Sequence, residues 1–225
     1  MKWPDDFIDK VICGDCRSLI VDIPSKSVDI ILTDPPYGMN YHSAWREQSQ
    51  KCANFDKIFG DDVYPSELIS LFKNIARKAV FMFCRWDNLL EVEKPESFIV
   101  WDKGHAGMGD LNHSYGRSWE GILFYPMEGH HFNSRPLDVI RVNGVSGVKM
   151  EHPTEKPVML FKKIITHNTN IGDIVLDPFL GSGAVAVAAR MLNRHYIGID
   201  IDEKWCAKAR ERIEKIPSSL NRWFN

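Results

Sequence analysis

The sequence lacks long apolar runs and any large excess of charge of one sign. No stretch of its 225 residues approaches the roughly 20 apolar residues that span a bilayer. Residues 1–6 contain no apolar run of the kind that opens a signal peptide. The formal net charge of −2 is less basic than expected for a protein that coats nucleic acid, although a local basic cleft is compatible with it. We therefore expect a cytoplasmic protein with no membrane partner.

Cysteine is scarce: the chain has five, an odd number at low density, which predicts no disulfide framework. Cys13 and Cys16 form a C-x-x-C pair, but a zinc site needs a second ligand pair. Cys52, Cys84 and Cys206 are isolated in the sequence. We predict no metal site and place the C-x-x-C pair at the end of a strand, with a metal or redox role as the alternative.

The sequence has no internal repeat and no low-complexity tract. Short β-branched runs alternate with amphipathic helical patterns, which is typical of α/β proteins with a parallel sheet. The length suits one such domain, over residues 1–225, better than two. Predicted strands include residues 11–12, 28–33, 79–84, 98–101, 121–125, 174–176 and 196–199.

Four helices are predicted from apolar spacing. Ser66 is a candidate N-cap for the first, and Pro157 suits the first turn of the second. Residues 182–193 are rich in Ala and Val with little polar surface, so we expect that helix to be buried against the sheet. A stripe that starts at Trp205 predicts the fourth.

A glycine-rich stretch follows the predicted strand at 174–176. Asp177-Pro178-Phe179-Leu180-Gly181-Ser182-Gly183 opens a helix, where glycines allow close approach of a ligand and the helix start offers free N–H groups. Asp200 lies 19 residues after Gly181, where such sites place an acid on ribose hydroxyls. Neither Gly-Lys-Ser/Thr nor G-x-G-x-x-G is present. The pattern therefore predicts a ribose-bearing cofactor without a pyrophosphate, with a tight turn that binds no ligand as the alternative.

A second motif, Asp34-Pro35-Pro36-Tyr37, follows the predicted strand at 28–33. Its two prolines stiffen the backbone and remove two N–H donors. The segment is therefore rich in acceptors and carries one carboxylate and one aromatic ring, which suits the NH2 group of a flat base. A Pro-Pro turn with a solvated aspartate is the alternative.

Together, Asp34-Pro35-Pro36-Tyr37 and the Phe-x-Gly-x-Gly of residues 179–183 resemble the signatures of the amino-methyltransferases that act on DNA bases. The catalytic motif precedes the cofactor loop, as in the permuted β class, whereas related RNA and protein-glutamine methyltransferases usually run the other way. The resemblance implies a Rossmann-like S-adenosylmethionine-dependent methyltransferase fold: a mostly parallel sheet with helices on both faces and a circularly permuted motif order. The late strands at Ile174 and Tyr196 would then be the first two strands of the sheet.

The resemblance also implies a site for S-adenosylmethionine. Cys13-Gly14-Asp15-Cys16 resembles the opening of the class, with Asp15 near the adenine of the cofactor. His152-Pro153-Thr154-Glu155-Lys156-Pro157 would lead into the site. The implied cofactor-binding residues are Asp15, Cys16, Asp34, Thr154, Lys156, Pro157, Asp177, Phe179, Leu180, Gly181, Ser182, Gly183 and Asp200.

The implied catalytic residues are Asp34, Pro35, Pro36 and Tyr37. The target base must leave the duplex, because its amine is buried in base pairing. Asp34 and the Pro35 carbonyl would accept the two amine hydrogens while Tyr37 stacks on the base. Trp101-Asp102-Lys103-Gly104 and Trp119-Glu120-Gly121 resemble segments that line the target-base pocket, with packing or capping as the alternative for Trp101, Asp102 and Trp119.

These features predict a site-specific DNA methyltransferase that transfers a methyl group to the exocyclic amine of adenine. Adenine is preferred because the motif begins with Asp, whereas cytosine-amine enzymes more often begin with Ser. The cytosine amine, an RNA or protein-amide substrate, and a non-catalytic cofactor-binding protein remain alternatives. The expected partner is DNA, and the protein is expected to be a monomer or a homodimer.

Two irregular segments, residues 38–62 and 126–150, are expected to surround the site. Restriction-associated relatives carry a sizeable target-recognition region, whereas here it is a short loop at about 126–150, too small for a core of its own. Candidate phosphate contacts are Arg46, Lys51, Arg117, Arg135 and Arg141, with a solvated loop face as the alternative for each.

Overall fold

The computed structural model describes residues 1–38, 63–105, 113, 115–144 and 155–217. Its strands are β1 (Lys10–Cys13), β2 (Val28–Thr33), β3 (Ala76–Cys84), β4 (Ser97–Asp102), β5 (Trp119–Pro126), β6 (Val139–Arg141), β7 (Ile174–Asp177) and β8 (His195–Asp200). Its α-helices are α1 (Cys16–Leu19), α2 (Leu68–Ile75), α3 (Val158–Asn168), α4 (Ala184–Met191) and α5 (Glu203–Glu214).

The eight strands form one sheet in the order β1-β8-β7-β2-β3-β5-β4-β6. β5 runs antiparallel to β3 and β4, and every other described pairing is parallel. This confirms the mostly parallel sheet. The late strands β7 and β8 are adjacent, as expected, but β1 lies outside them at the edge, so they are not the first two strands in space.

Hydrophobic cores form on both faces of the sheet, because side chains alternate along each strand. In β2, Ile30 and Leu32 pack in the core formed with α3, α4 and α5. Ile31 points the other way, into the core formed with α1 and α2. The helices therefore cover both faces, which confirms the predicted fold class.

The helix starts differ in detail from the sequence predictions. Glu67, not Ser66, is the N-cap of α2, and no side chain in the described part of the protein caps that helix. Pro157 is the N-cap of α3, with extended backbone, and stands one position before the first helical residue. The prediction for α4 is confirmed, since residues 184–189 are all buried.

β6 lies in the segment 126–150, for which we expected only irregular structure. It pairs in parallel with β4 and forms an edge of the sheet. Only three residues pair, which is too few for a clear sequence pattern. No helix in the described part of the chain is long and apolar enough to cross a membrane.

Candidate active site

The two sequence motifs meet at the carboxyl edge of the sheet. The catalytic segment (residues 34–37) follows β2, and the glycine loop (residues 177–183) begins at the end of β7. Because β2 and β7 pair in parallel, the two segments leave the sheet side by side. The Thr33 hydroxyl donates to Asp177 Oδ1 at 2.7 Å and ties the two strand ends together. Open α/β sheets bind ligands at this edge.

Asp34 accepts hydrogen bonds on both carboxylate oxygens. The Tyr37 hydroxyl donates to Oδ1 at 2.6 Å, and the Lys156 ammonium donates to Oδ2. The carboxamide of buried Asn88 donates to the Tyr37 carbonyl at 3.3 Å and helps to hold the segment. Burial raises the pKa of Tyr37 well above its usual value, with a further contribution from Asp34, so its hydroxyl stays a donor.

Lys156 was predicted among the cofactor residues, but its ammonium lies at the catalytic segment. Its side chain is 5% exposed, and Nζ lies 3.2 Å from Glu120 Oε2 and 3.3 Å from the Tyr37 hydroxyl. The ammonium also lies 4.9 Å from the centre of the Phe83 ring. Glu120 comes from β5, within a segment that we expected to line the target-base pocket.

Asp34, Glu120 and Lys156 form a partly buried cluster in which opposite charges are paired. Burial raises the pKa of Asp34, and the nearby Lys156 opposes that rise. Burial alone would lower the pKa of Lys156, but Asp34 and Glu120 outweigh it and raise the pKa. Burial would also raise the pKa of Glu120, yet Lys156 and Lys103 together lower it. Lys156 is therefore a cation and Glu120 an anion near neutral pH.

The glycine loop has a geometry that needs its glycines. Gly183 has a φ of 79°, and a Cβ there would lie 2.9 Å from the Cβ of Ala209. The Gly181 N–H donates to Asp200 Oδ2 at 2.7 Å, and the Leu180 N–H donates to the Ile199 carbonyl at 2.8 Å. These bonds bring Asp200 directly beside the loop, as the sequence spacing predicts.

Both acids at this loop are hard to ionise. Burial raises the pKa of Asp177 to about 7, although the Thr33 hydroxyl and the Phe179 N–H donate to it. Burial also raises the pKa of Asp200. A cationic ligand or a hydroxyl donor would satisfy such carboxylates, and S-adenosylmethionine offers both. The residues present therefore fit this cofactor.

A cleft of about 370 Å³, including its open mouth, lies between the catalytic segment and the glycine loop. The start of α4, which offers free N–H groups, forms part of its wall. The lining brings together seven of the predicted cofactor residues: Asp34, Lys156, Asp177, Phe179, Leu180, Gly181 and Ser182.

Arg212, on α5, was not predicted from the sequence. Its Nη1 donates at 3.1 Å to both the carbonyl and the hydroxyl of Ser182. The same atom lies 2.8 Å from Glu155 Oε1. Arg212 thus joins the glycine loop to the residue just before Lys156. A charged residue within a helix is usually solvent-exposed, so the sequence gives no signal for this contact of Arg212.

The remaining predicted cofactor residues lie around this edge. Asp15 caps α1 by accepting from the Arg17 N–H at 2.9 Å, and it follows β1, whose end is paired with Asp200. Cys16 is buried, and burial raises the pKa of its thiol to about 12. Neither residue lines the cleft described above. Pro157 is half-buried at the start of α3, and Thr154 lies outside the described residues.

The C-x-x-C pair is divided, since Cys13 is exposed and Cys16 is buried. Among the described residues, one group offers three ligand atoms within 4.8 Å of one another: Cys13, Glu203 and Cys206. Burial raises the pKa of both of these thiols, and Glu203 pairs with Arg210 at 2.6 Å. A metal bound there would have to displace Arg210 from Glu203 and release the protons of both thiols.

The predicted DNA-facing residues have mixed surroundings. Trp101 is buried and donates to the Val142 carbonyl at 2.8 Å, so it packs in the core. Asp102 accepts from exposed Arg141 at 2.9 Å. Arg117 and Arg135 are exposed, as phosphate contacts require. Arg46 and Lys51 lie outside the described residues.

Three features define the class of protein. They are a mostly parallel sheet with β5 reversed, helices on both faces of that sheet, and a glycine loop beside the catalytic segment. This is the Rossmann-like fold of the S-adenosylmethionine-dependent methyltransferases. A model of the DNA methylase family, which comprises N6 and N4 methyltransferases, matches residues 28–211. The chain belongs to that family, whose methyl donor is S-adenosylmethionine.

Named relatives agree with this assignment. The chain is 28% identical to the DNA adenine methyltransferase YhdJ of Escherichia coli (strain K12), covering 91% of this chain and 82% of YhdJ. It is 27% identical to the type II methyltransferase M.HpaI of Haemophilus parainfluenzae, covering 91% of this chain and 74% of M.HpaI. The crystal structure of the M1.HpyAVI–SAM complex superposes with a TM-score of 0.67 at 25% identity, covering 90% of this chain and 98% of that one.

Proposed function

We propose that this protein is a site-specific DNA methyltransferase that transfers the methyl group of S-adenosylmethionine to the exocyclic amine of adenine. The observation that carries the proposal is the position of Asp34, which lines the cleft together with the glycine loop. An amine that binds at Asp34 is therefore next to the cofactor site. The adenine specificity of YhdJ supports the choice of base.

The residues of the cleft suit the cofactor. The acid groups of Asp177 and Asp200 would take its ammonium and its ribose hydroxyls, and the start of α4 provides N–H donors. Bound there, the cofactor supplies an electrophilic methyl group on a sulfonium. Asp34 also lines this cleft, so a target amine bound at Asp34 would lie next to the bound cofactor.

The catalytic segment would orient the target amine. Asp34 and the Pro35 carbonyl accept its two hydrogens, which directs the nitrogen lone pair away from the ring and towards the methyl group. Tyr37 stacks on the base after it has left the duplex. The methylated nitrogen then loses one proton, and the carboxylate of Asp34 is the adjacent acceptor. The rate gain would come mainly from orientation and electrostatics.

The cytosine amine is the second candidate, because the family that matches the chain includes N4 as well as N6 methyltransferases. We further propose that residues 1–225 form one methyltransferase domain and that the protein works in the cytoplasm as a monomer or a homodimer. In this proposal the short loop at about 126–150, which includes β6, contributes to sequence recognition.

The test uses purified protein, methyl-labelled S-adenosylmethionine and DNA from a methylation-deficient host. After transfer, the DNA is digested to nucleosides and the labelled nucleoside is identified. Label on the adenine amine supports the proposal, and label on the cytosine amine changes the base but keeps the reaction. Absence of label in every DNA nucleoside, with the cofactor still bound, would refute it. RNA and protein substrates would then be assayed in the same way.

A further inference from the structure

Both oxygens of the catalytic carboxylate are already occupied. Asp34 Oδ1 accepts from the Tyr37 hydroxyl at 2.6 Å, and Oδ2 accepts from the Lys156 ammonium. An amine that is to bind Asp34 therefore competes with these two donors for the carboxylate. The amine binds Asp34 more strongly when one of these donors moves to another acceptor.

A displaced ammonium needs a new partner. Lys156 is 5% exposed, and water therefore has little access to it. A buried charge without a partner is strongly unfavourable, because the protein interior replaces hydration poorly. Displacement of Lys156 by the amine is therefore feasible only where another acceptor lies within reach.

Glu120 provides that acceptor for both donors. Its Oε2 atom lies 3.2 Å from Lys156 Nζ and 3.3 Å from the Tyr37 hydroxyl. Its other oxygen is 3.3 Å from Lys103 Nζ, which keeps the carboxylate oriented and leaves Oε2 facing the cluster. A small movement of each donor is enough to change its acceptor from Asp34 to Glu120.

We propose that Glu120 is a positioning residue that takes over the Lys156 ammonium and the Tyr37 hydroxyl when the target amine binds Asp34. Glu120 does not touch the reacting atoms, and it acts by freeing Asp34. This inference rests on the proposed function, since it concerns the same amine at the same carboxylate. It adds a step, the exchange of donors between two carboxylates, that precedes methyl transfer.

The test is the single-turnover rate of methyl transfer at saturating cofactor and DNA, measured for four proteins beside the wild type. In Glu120→Gln, Asp34 is the one charged partner that the described residues leave to the ammonium. The rate therefore falls about 100-fold while cofactor affinity stays within about threefold. In Glu120→Gln with Lys156→Met no ammonium blocks Asp34, and the rate rises at least about tenfold above that of Glu120→Gln. Lys156→Met alone completes the cycle.

The matched control is Glu93→Gln, which removes the same charge from an exposed pair with Lys73. Its rate equals that of the wild type. A merely structural role for Glu120 predicts that the second substitution adds further damage, so a double variant no faster than Glu120→Gln would overturn the inference. A rate for Glu120→Gln equal to the wild type would do the same.

Two outcomes separate this inference from the proposed function. Wild-type protein that transfers no label to DNA overturns both. Wild-type transfer with an unchanged Glu120→Gln rate overturns only the inference.

Should Glu120→Gln not fold, Glu120→Asp keeps the charge but shortens the side chain. The inference then expects a partial loss of rate in Glu120→Asp that Lys156→Met relieves, and no relief would overturn it.

Discussion

Replacement of Asp177 by Asn is expected to stabilise the protein above neutral pH while weakening cofactor binding. Burial raises the pKa of this acid from 3.8 to about 7. The folded protein holds the proton of Asp177 more tightly than the unfolded chain does. Ionisation of Asp177 therefore lowers the free energy of unfolding, and this loss grows as the pH rises through this interval. This loss of stability amounts to about 4 kcal/mol at pH 8, above both pKa values, and to about 2 kcal/mol at pH 5, between them.

Asn removes the charge but keeps the acceptor for the Thr33 hydroxyl and the Phe179 N–H. The free energy of unfolding would be measured by urea titration at pH 5 and pH 8, without cofactor. Asp138→Asn, at an exposed position, is the control. Asp177→Asn gains more stability at pH 8 than at pH 5, and its cofactor affinity by calorimetry falls about tenfold, since a cation loses its carboxylate. An equal gain at both pH values, or a loss at pH 8, would contradict a raised pKa of Asp177 in the folded protein.

Three further changes probe the site. Asp34→Ala lowers the rate of methyl transfer at least about 100-fold but changes cofactor affinity by less than about threefold, and retained turnover would contradict the mechanism. Gly183→Ala destabilises the protein by about 2 kcal/mol, because its φ is 79° and the new Cβ meets Ala209. Gly129→Ala is the control, because Gly129 has a φ of 78° and open surroundings, so this change reports the backbone contribution alone. If it lowers the thermal midpoint as much as Gly183→Ala does, the steric contribution of the contact with Ala209 is excluded. Arg212→Gln weakens cofactor binding about tenfold, seen by calorimetry, because the glycine loop loses its guanidinium contact; an unchanged affinity would show that this contact is dispensable.

Much of the fold follows from local pattern. The runs at 28–33 and 174–176 are apolar and β-branched, and they are central strands in the structure. The glycine loop could also be located, because a strand, two glycines and a distant acid leave a recognisable spacing. These features depend on neighbours in the chain, which a sequence displays directly.

The chemistry around Asp34 could not be predicted in the same way. Lys156, from the segment before α3, and Glu120, from β5, meet at the catalytic segment although they are distant from it in the sequence, and no spacing rule records that contact. The sequence therefore predicts Lys156 only as a cofactor residue, and it places Glu120 only within a segment that lines the target-base pocket. β6 was missed for a related reason, since a three-residue strand exists only because β4 offers it a pairing edge.

The position of β7 and β8 bears on how the chain folds. β1 and β2 are neighbours in the sequence, yet β8 and β7 lie between them in the sheet. The gap between these early strands can close only after a segment more than 140 residues later in the chain has been inserted, as the 144-residue separation of Thr33 and Asp177 illustrates. Such long-range pairing slows folding, because distant segments must find each other first. Recovery of cofactor binding after denaturant dilution would therefore report a late event, the insertion of β7 and β8 between β1 and β2.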